Sequence, residues 1–360
     1  MNDKLIKLAQ VPLEVPDNLE ELLYKLIEEK KVFTDDIETL KSIANLLISG
    51  KHIVLYGPVG TGKTKLVKEI ANVFNVDLEI AHVGENWQSD SQLIGYKTIF
   101  RGGIKFNKGH FVKTLEKCYR YIEEELYSTF NFENTKQACW LVLDEMNRGN
   151  INGYLSSIIT ALEPLRANLT KKDFEDIYKI FVDTGQELIK IPIPYRFRMI
   201  GTINTFDMNF LYSFPSALEG RRLDFVPVNP PVNINYELDI IQNVLVSEFP
   251  IMKSNMSVLE NLLSEIKNLI KNLRGIGFSV GTAIFMDIGR ESINRYILFN
   301  TGRNELREIL DYTLSTKLPQ IVKKLVPDKR REIIEYLNAN NFSKTVKELN
   351  NLLTEIIEDL

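Results

Sequence analysis

The run Gly57-Pro58-Val59-Gly60-Thr61-Gly62-Lys63-Thr64 has the residue types and the order needed to hold a polyphosphate. Gly57, Gly60 and Gly62 allow the backbone to bend until successive N–H groups face one point, and a helix starting there adds the positive end of its dipole. Lys63 is then placed to meet the β- and γ-phosphates, and the Thr64 hydroxyl to hold a magnesium ion. Such spacing is meaningful where a strand precedes it and a helix follows. Both conditions hold: His52–Tyr56, HIVLY, is a β-type run, and Lys65–Phe74, KLVKEIANVF, has helical periodicity.

A second apolar run, Trp140–Leu143, ends abruptly in Asp144 and Glu145. A buried strand ending this way delivers both carboxylates to the C-terminal edge of a parallel sheet, where ligands of open α/β sheets bind. Asp144 is the expected magnesium partner, through water, and Glu145 the general base that orients or deprotonates an attacking water. The run YRFRMIGTIN ends in Asn204, which from a neighbouring strand edge would hold that water or a phosphate oxygen. Arg221 and Arg222 stand just before the last strand, where a guanidinium offered to a neighbouring subunit's γ-phosphate would stabilise transition-state charge. Taken singly, an arginine pair there also suits a solvated helix end, and Asn204 a strand-to-loop turn.

Positioning these residues requires a sheet. Five β-type runs, His52–Tyr56, Leu78–Val83, Trp140–Leu143, Phe197–Ile203 and Leu223–Val228, are separated by helical stretches, the pattern of an α/β protein with a parallel, helix-covered sheet. Two insertions read as hairpins: Lys97–Asn107, turning at Arg101-Gly102-Gly103, and Tyr178–Ile191, turning at Asp183-Thr184-Gly185. Ahead of the sheet, Asp17-Asn18 is expected to cap a short amphipathic helix, and Asp35–Ile48 to form another. After Asn229-Pro230-Pro231 the β-type runs stop, and helical periodicity continues to Leu360 with breaks near Gly275–Gly281, Thr301-Gly302 and Pro327. The expected organisation is a helical lead-in over residues 1–35, an α/β domain over 36–228 and a helical domain over 229–360.

Of the 360 residues, 44% are hydrophobic and 26% charged, which suits a globular protein with a real core. Forty-four Lys+Arg against 48 Asp+Glu give a formal charge of −4, arguing against a chain that grips nucleic acid over its whole surface. Cys118 and Cys139 make no CxxC pair and read as buried, reduced thiols. His52, His82 and His110 lack paired ligand spacing and read as structural. Trp87 reads as loop packing, Asn107–His110 (NKGH) lacks the Asp of a guanine-reading NKxD, and KLPQIVKKLVPDKRR reads as solvated helix faces. No apolar run approaches the ~18 residues of a membrane span, and the N-terminus lacks an apolar signal core, so a cytoplasmic location without membrane contact is expected.

With these elements in order, the stretch from about residue 36 to 330 resembles an AAA+ ATPase. Within that superfamily it is most similar to the branch of McrB-type restriction motors, MoxR-type ATPases and dynein-related ATPases. ENWQSDSQLIGY (Glu85–Tyr96), the first hairpin and KGHFVKTL (Lys108–Leu115) resemble the insert of that branch's second core helix. LDEMNRGNINGYLSSIITALE resembles its extended Walker B region with an Asn-Arg pair, and the Tyr178–Ile191 hairpin falls at its pre-sensor-1 insertion. FSVGTAIFMD (Phe278–Asp287) and DYTLSTKLPQI are similar to the lid of McrB-type proteins.

The resemblance implies a P-loop NTPase with a five-stranded parallel sheet and a C-terminal helical lid, and it implies Mg2+ and ATP as cofactors, with GTP possible. It puts Walker A on residues 57–64, Walker B on Asp144 and Glu145, sensor 1 on Asn204 and the arginine finger on Arg221 or Arg222. It further implies a homo-oligomeric ring, a hexamer, that remodels a protein partner, either a nuclease subunit or an adhesion-type domain protein, with no sequence-specific DNA binding of its own. A GTP-hydrolysing motor subunit of a McrB-type modification-dependent restriction system is the alternative. Where many lids of the superfamily carry an arginine, in a pattern like GxxxSxR, this chain has Gly281, which makes Arg274 and Arg290 the replacement lid cations to examine.

Overall fold

The computed structural model describes residues 3–100, 103–127, 136–158, 161, 179–205, 222–299, 306–323 and 325–358. The chain forms two compact units: an α/β unit of Met1–Val32, Asp36–Gly57 and Lys63–Val228, and a helical unit of Asn229–Leu360 together with Phe33–Asp35 and Pro58–Gly62.

The α/β unit runs α1 (Asp3–Ala9), α2 (Leu19–Glu28), α3 (Ile37–Ile48), β1 (His52–Gly57), α4 (Lys63–Val73), β2 (Val76–His82), β3 (Gly95–Phe100), β4 (Gly103–Lys108), α5 (His110–Tyr127) and β5 (Ala138–Asp144). It continues through α6 (Ile151–Leu155), β6 (Lys179–Asp183), β7 (Leu188–Pro192), β8 (Met199–Asn204) and β9 (Leu223–Pro227). Five of the strands form one parallel sheet in the order β2-β5-β8-β1-β9, the fold class expected from the sequence. Its centre is apolar without alternation because helices cover both faces: Ala138 to Leu143 of β5 are all buried, and only Asp144 emerges. The remaining strands pair as two antiparallel hairpins, β3–β4 and β6–β7, joined to each other by a Lys97–Asp183 ion pair of 2.6 Å. Arg101, Gly102 and Tyr178, at the expected turn and flank, lie outside the described residues.

Two expectations need correction. Asn18 occupies the N-cap of α2 but its side chain makes no capping bond; the entry is closed by the Leu19 N–H donating to Pro16 O at 3.1 Å. In α3 the side chain of Asp36 does cap, accepting from Glu38 N–H at 3.0 Å. The fourth β-type run starts later than expected, at Met199, because Phe197 turns back onto Pro194 O and the buried Arg198 donates Nε–H to Leu47 O at 2.6 Å. The lead-in is built into the same core: Ile6, Leu8, Leu23 and Leu26 are buried in the cluster that holds β1 and β5. Gln137, just ahead of β5, exchanges two hydrogen bonds with the Glu14 backbone, at 2.8 and 3.0 Å.

The helical unit contains α7 (Ile234–Glu248), α8 (Met256–Gly275), α9 (Thr282–Phe299), α10 (Leu306–Val322), α11 (Pro327–Ala339) and α12 (Ser343–Glu358). The break expected near Gly275–Gly281 separates α8 from α9, Pro327 opens α11, and Thr301-Gly302 lies outside the described residues. No helix among the described residues is long and apolar enough to cross a membrane. Both candidate lid cations are committed to carboxylates within this unit. Arg274 donates to Glu237 at 2.6 Å and to Pro231 O at 2.8 Å, while Arg290 grips Glu248 through two bonds of 2.6 Å and Asp287 at 2.8 Å.

Glu237 is fully buried; burial pushes its pKa up, and the Arg274 charge and the Thr282 hydroxyl, 3.0 Å away, oppose that shift. Removing one partner of a buried ion pair leaves an uncompensated charge, which costs about 3–5 kcal/mol. Arg274→Ala should therefore lower the unfolding free energy by that order in urea titrations followed by circular dichroism; a change within the fitting error would show that the pair contributes nothing.

Candidate functional site

β1 runs into the phosphate-type loop and α4 out of it. A Cβ on Gly57 would lie 2.1 Å from Val228 O, since the Val228 N–H donates to Tyr56 O at 2.7 Å and draws the end of β9 over the start of the loop. Gly60 and Gly62 take φ of +83° and +75°, a region where side chains are strained. The concave backbone that results is what an anion cradle requires.

Lys63 opens α4 and is 6% exposed, its Nζ donating to Gly57 O at 3.0 Å. Burial pulls its pKa down to about 8 against the opposing pull of Asp144 and Glu145. The next residue, Thr64, donates its hydroxyl to Asp144 Oδ1 at 2.5 Å. A hydroxyl and a carboxylate in contact beside a buried ammonium fit the Mg2+-phosphate pair that the loop implies.

Pro58–Gly62 pack within the helical unit. There the Gly281 N–H donates to Val59 O at 2.8 Å and the Ala283 N–H to Gly60 O at 3.0 Å. A Cβ on residue 281 would stand 2.0 Å from the Gly60 carbonyl carbon. The position therefore admits no side chain, a physical reason for glycine where the related pattern has arginine.

At the end of β5, Glu145 adopts φ +54° and ψ +45°, a left-handed conformation uncommon outside glycine and costly for most side chains. Its carboxylate accepts from Asn204 Nδ2 at 3.2 Å and from Arg148 Nη1 at 3.0 Å. Asn204 reaches it because β8 lies between β5 and β1, with Asn204 in register with Gly57. Lys63, Thr64, Asp144, Glu145 and Asn204 thus meet at the C-terminal edge of three adjacent strands. Arg222 is half-buried just before β9, and Arg221 lies outside the described residues.

Three residues at this edge went unremarked in the sequence. Thr202, buried on β8, donates to Asp144 Oδ1 at 2.8 Å and accepts the Glu145 N–H at 2.9 Å. Gly201 makes room for Met146, whose Sδ would stand 2.2 Å from a Cβ there. Tyr154 donates its hydroxyl to Met146 O at 2.7 Å. A polar residue two before Asn204 on a strand faces the same way as Asn204, and that period was the available signal.

His82 has 79% of its side chain exposed and its Nδ1 3.1 Å from Asp144 Oδ2, beside the magnesium-type pair. His52 and Trp87 do have structural roles. His52 is buried, its pKa held down at about 3 mainly by desolvation, and it accepts the Met199 N–H at 3.0 Å. Trp87 stacks on His110 and meets Tyr154 edge-on. Among the described residues no group of three or more His, Cys, Asp or Glu is arranged to hold a metal, and both cysteines are buried and free.

Residues 52–222 match the family model of the AAA domain (dynein-related subfamily), which supports an AAA+ ATPase. Over 83 residues, 22% of this chain, the sequence is 32% identical to the uncharacterized protein YojN of Bacillus subtilis (strain 168). The match spans 27% of that protein's length.

The depressed Lys63 pKa fixes a pH dependence for polyphosphate binding. As pH rises through about 8 the ammonium is lost and affinity should fall, with a proton taken up on binding near pH 8; at the low end, near the ~6 of a phosphate's second pKa, the ligand's own titration adds to the profile. Calorimetric titration of ATP between pH 6 and 10 checks this, and an affinity unchanged across that range would contradict it.

Proposed function

We propose that this chain is the motor subunit of an AAA+ ring that binds and hydrolyses ATP with Mg2+ and uses the turnover to remodel a protein partner, in the manner of McrB- and MoxR-type ATPases. The observation that carries the reading is the meeting of Lys63, the Thr64–Asp144 pair and the Glu145–Asn204 pair at one sheet edge. Lys63 and the loop N–H groups bind the β- and γ-phosphates, and Thr64 and Asp144 would hold a Mg2+ ion, which would neutralise charge on the phosphates. As the oxygen of the attacking water bonds to the γ-phosphorus, Glu145 takes the water's proton, and the bond from that phosphorus to the β,γ-bridging oxygen breaks so that ADP leaves with the electron pair; Asn204 orients the Glu145 carboxylate. Arg221 or Arg222 serves the γ-phosphate of a neighbouring subunit in a hexamer, and DNA contact, where it occurs, belongs to the partner. A nuclease subunit co-purifying with the chain would favour a restriction system; an adhesion-type domain protein would favour a MoxR-like role. Competition between ATP and GTP for the purified protein decides the nucleotide.

Glu145→Gln keeps the shape of the side chain but cannot take the proton. It should bind ATP as the wild type does and lose turnover by ~10²–10⁴-fold, measured as phosphate release beside calorimetry. Turnover at the wild-type rate would remove Glu145 from the role of base.

An arginine acting in trans is worth on the order of 10³–10⁵ in rate. The Arg221→Ala/Arg222→Ala protein mixed with Lys63→Ala protein should regain activity where an intact pocket meets an intact arginine. Mixed rings without any recovery would count against the trans role.

A further inference from the structure

Thr202 has one hydroxyl and uses it twice. The oxygen accepts the Glu145 N–H at 2.9 Å, and its hydrogen goes to Asp144 Oδ1 at 2.8 Å. The group is 2% exposed, so water does not compete for either bond.

The two bonds constrain different things. The first fixes the peptide plane between Asp144 and Glu145, where the chain leaves β5 and turns left-handed at φ +54°. A non-glycine residue persists in that region only when its surroundings over-determine it. Thr202 supplies one constraint, and the Met146 side chain seated over Gly201 supplies another. The left-handed turn in turn sends the Glu145 side chain to Asn204 and Arg148. The second bond fixes the Asp144 carboxylate, leaving Oδ1 shared by Thr202 and Thr64 and Oδ2 facing His82. Serine would retain both bonds, whereas valine, of nearly the same shape, would retain neither.

We propose that Thr202 is a positioning residue for nucleotide hydrolysis: its single hydroxyl sets both the backbone turn that aims Glu145 and the orientation of the Asp144 carboxylate. The proposal rests on the reading of Glu145 as general base. A misplacement of about 1 Å in such a group costs on the order of 10²-fold in rate, and it does so without weakening metal-free phosphate binding, which Lys63 and the loop provide.

Four proteins test it: wild type, Thr202→Val, Thr202→Ser and Thr202→Val combined with Glu145→Gln. Thr202→Val should keep the wild-type dissociation constant for ATP measured without Mg2+, lose kcat by ~10²-fold, and speed hydrogen exchange at the Glu145 amide in the nucleotide-free protein. Thr202→Ser should restore both readouts. In the Glu145→Gln background the valine should cost clearly less than it does alone, because the aim of a group that takes no proton no longer matters and only the share that comes from the Asp144 carboxylate remains. Wild-type kcat in Thr202→Val, a serine variant as slow as the valine one, or a full second loss on top of Glu145→Gln would each overturn the proposal. A serine variant stays interpretable even where valine disturbs the fold. Wild-type protein that binds ATP without turnover would overturn the proposed function itself, and Thr202's role with it; failure of the valine variant alone, with an active wild type, would leave that function standing.

Discussion

One carboxylate oxygen, Asp144 Oδ1, receives hydroxyl hydrogens from both Thr64 and Thr202, and the geometry of the edge follows from that sharing. The three residues come from segments distant in sequence: the helix after β1, the end of β5, and β8 between them. Charge-assisted bonds of this kind are roughly twice as strong as neutral ones. Here they tie β5 to β8 just past Leu143 and Gly201, the last register pair of those two strands.

The fold was legible because its main sheet is parallel and covered. Such strands read as unbroken apolar runs, and Trp140–Leu143 ends at Asp144 as sharply in the sequence as in space. Loop chemistry was equally plain, since three glycines and a lysine at fixed spacing have few other uses. What stayed hidden depends on contacts that no local pattern carries. Thr202 is an ordinary strand residue until β8 is known to lie against β5, and His82 is an isolated histidine until β2 is known to be that strand's other neighbour. The role of Gly281 was hidden for a different reason. A missing side chain reads as a departure from a pattern, whereas its use, the close approach to Gly60, exists only in three dimensions. The candidate lid cations depend on such contacts too: a buried carboxylate, Glu237, holds Arg274, and an exposed one, Glu248, holds Arg290.

The two hairpins show where periodicity fails as a guide. In β6, Ile180 and Val182 are buried between exposed or half-buried neighbours, so alternation marks one face; in β3 every residue is exposed or half-exposed and no face is distinguished. Their turn residues identified both. The ion pair between Lys97 and Asp183, one from each hairpin, shows that the insertions meet although they are far apart along the chain.

The placing of the aromatic residues has an optical consequence. The chain has two tryptophans, Trp87 against His110 and Trp140 against Phe74, both buried and both in the α/β unit. Intrinsic indole emission therefore reports on the sheet and its inserted loop alone. A rearrangement or loss of structure confined to residues 229–360 is dark to that signal, so a far-ultraviolet transition that runs ahead of the fluorescence one would measure the two units' separate cooperativity without any label.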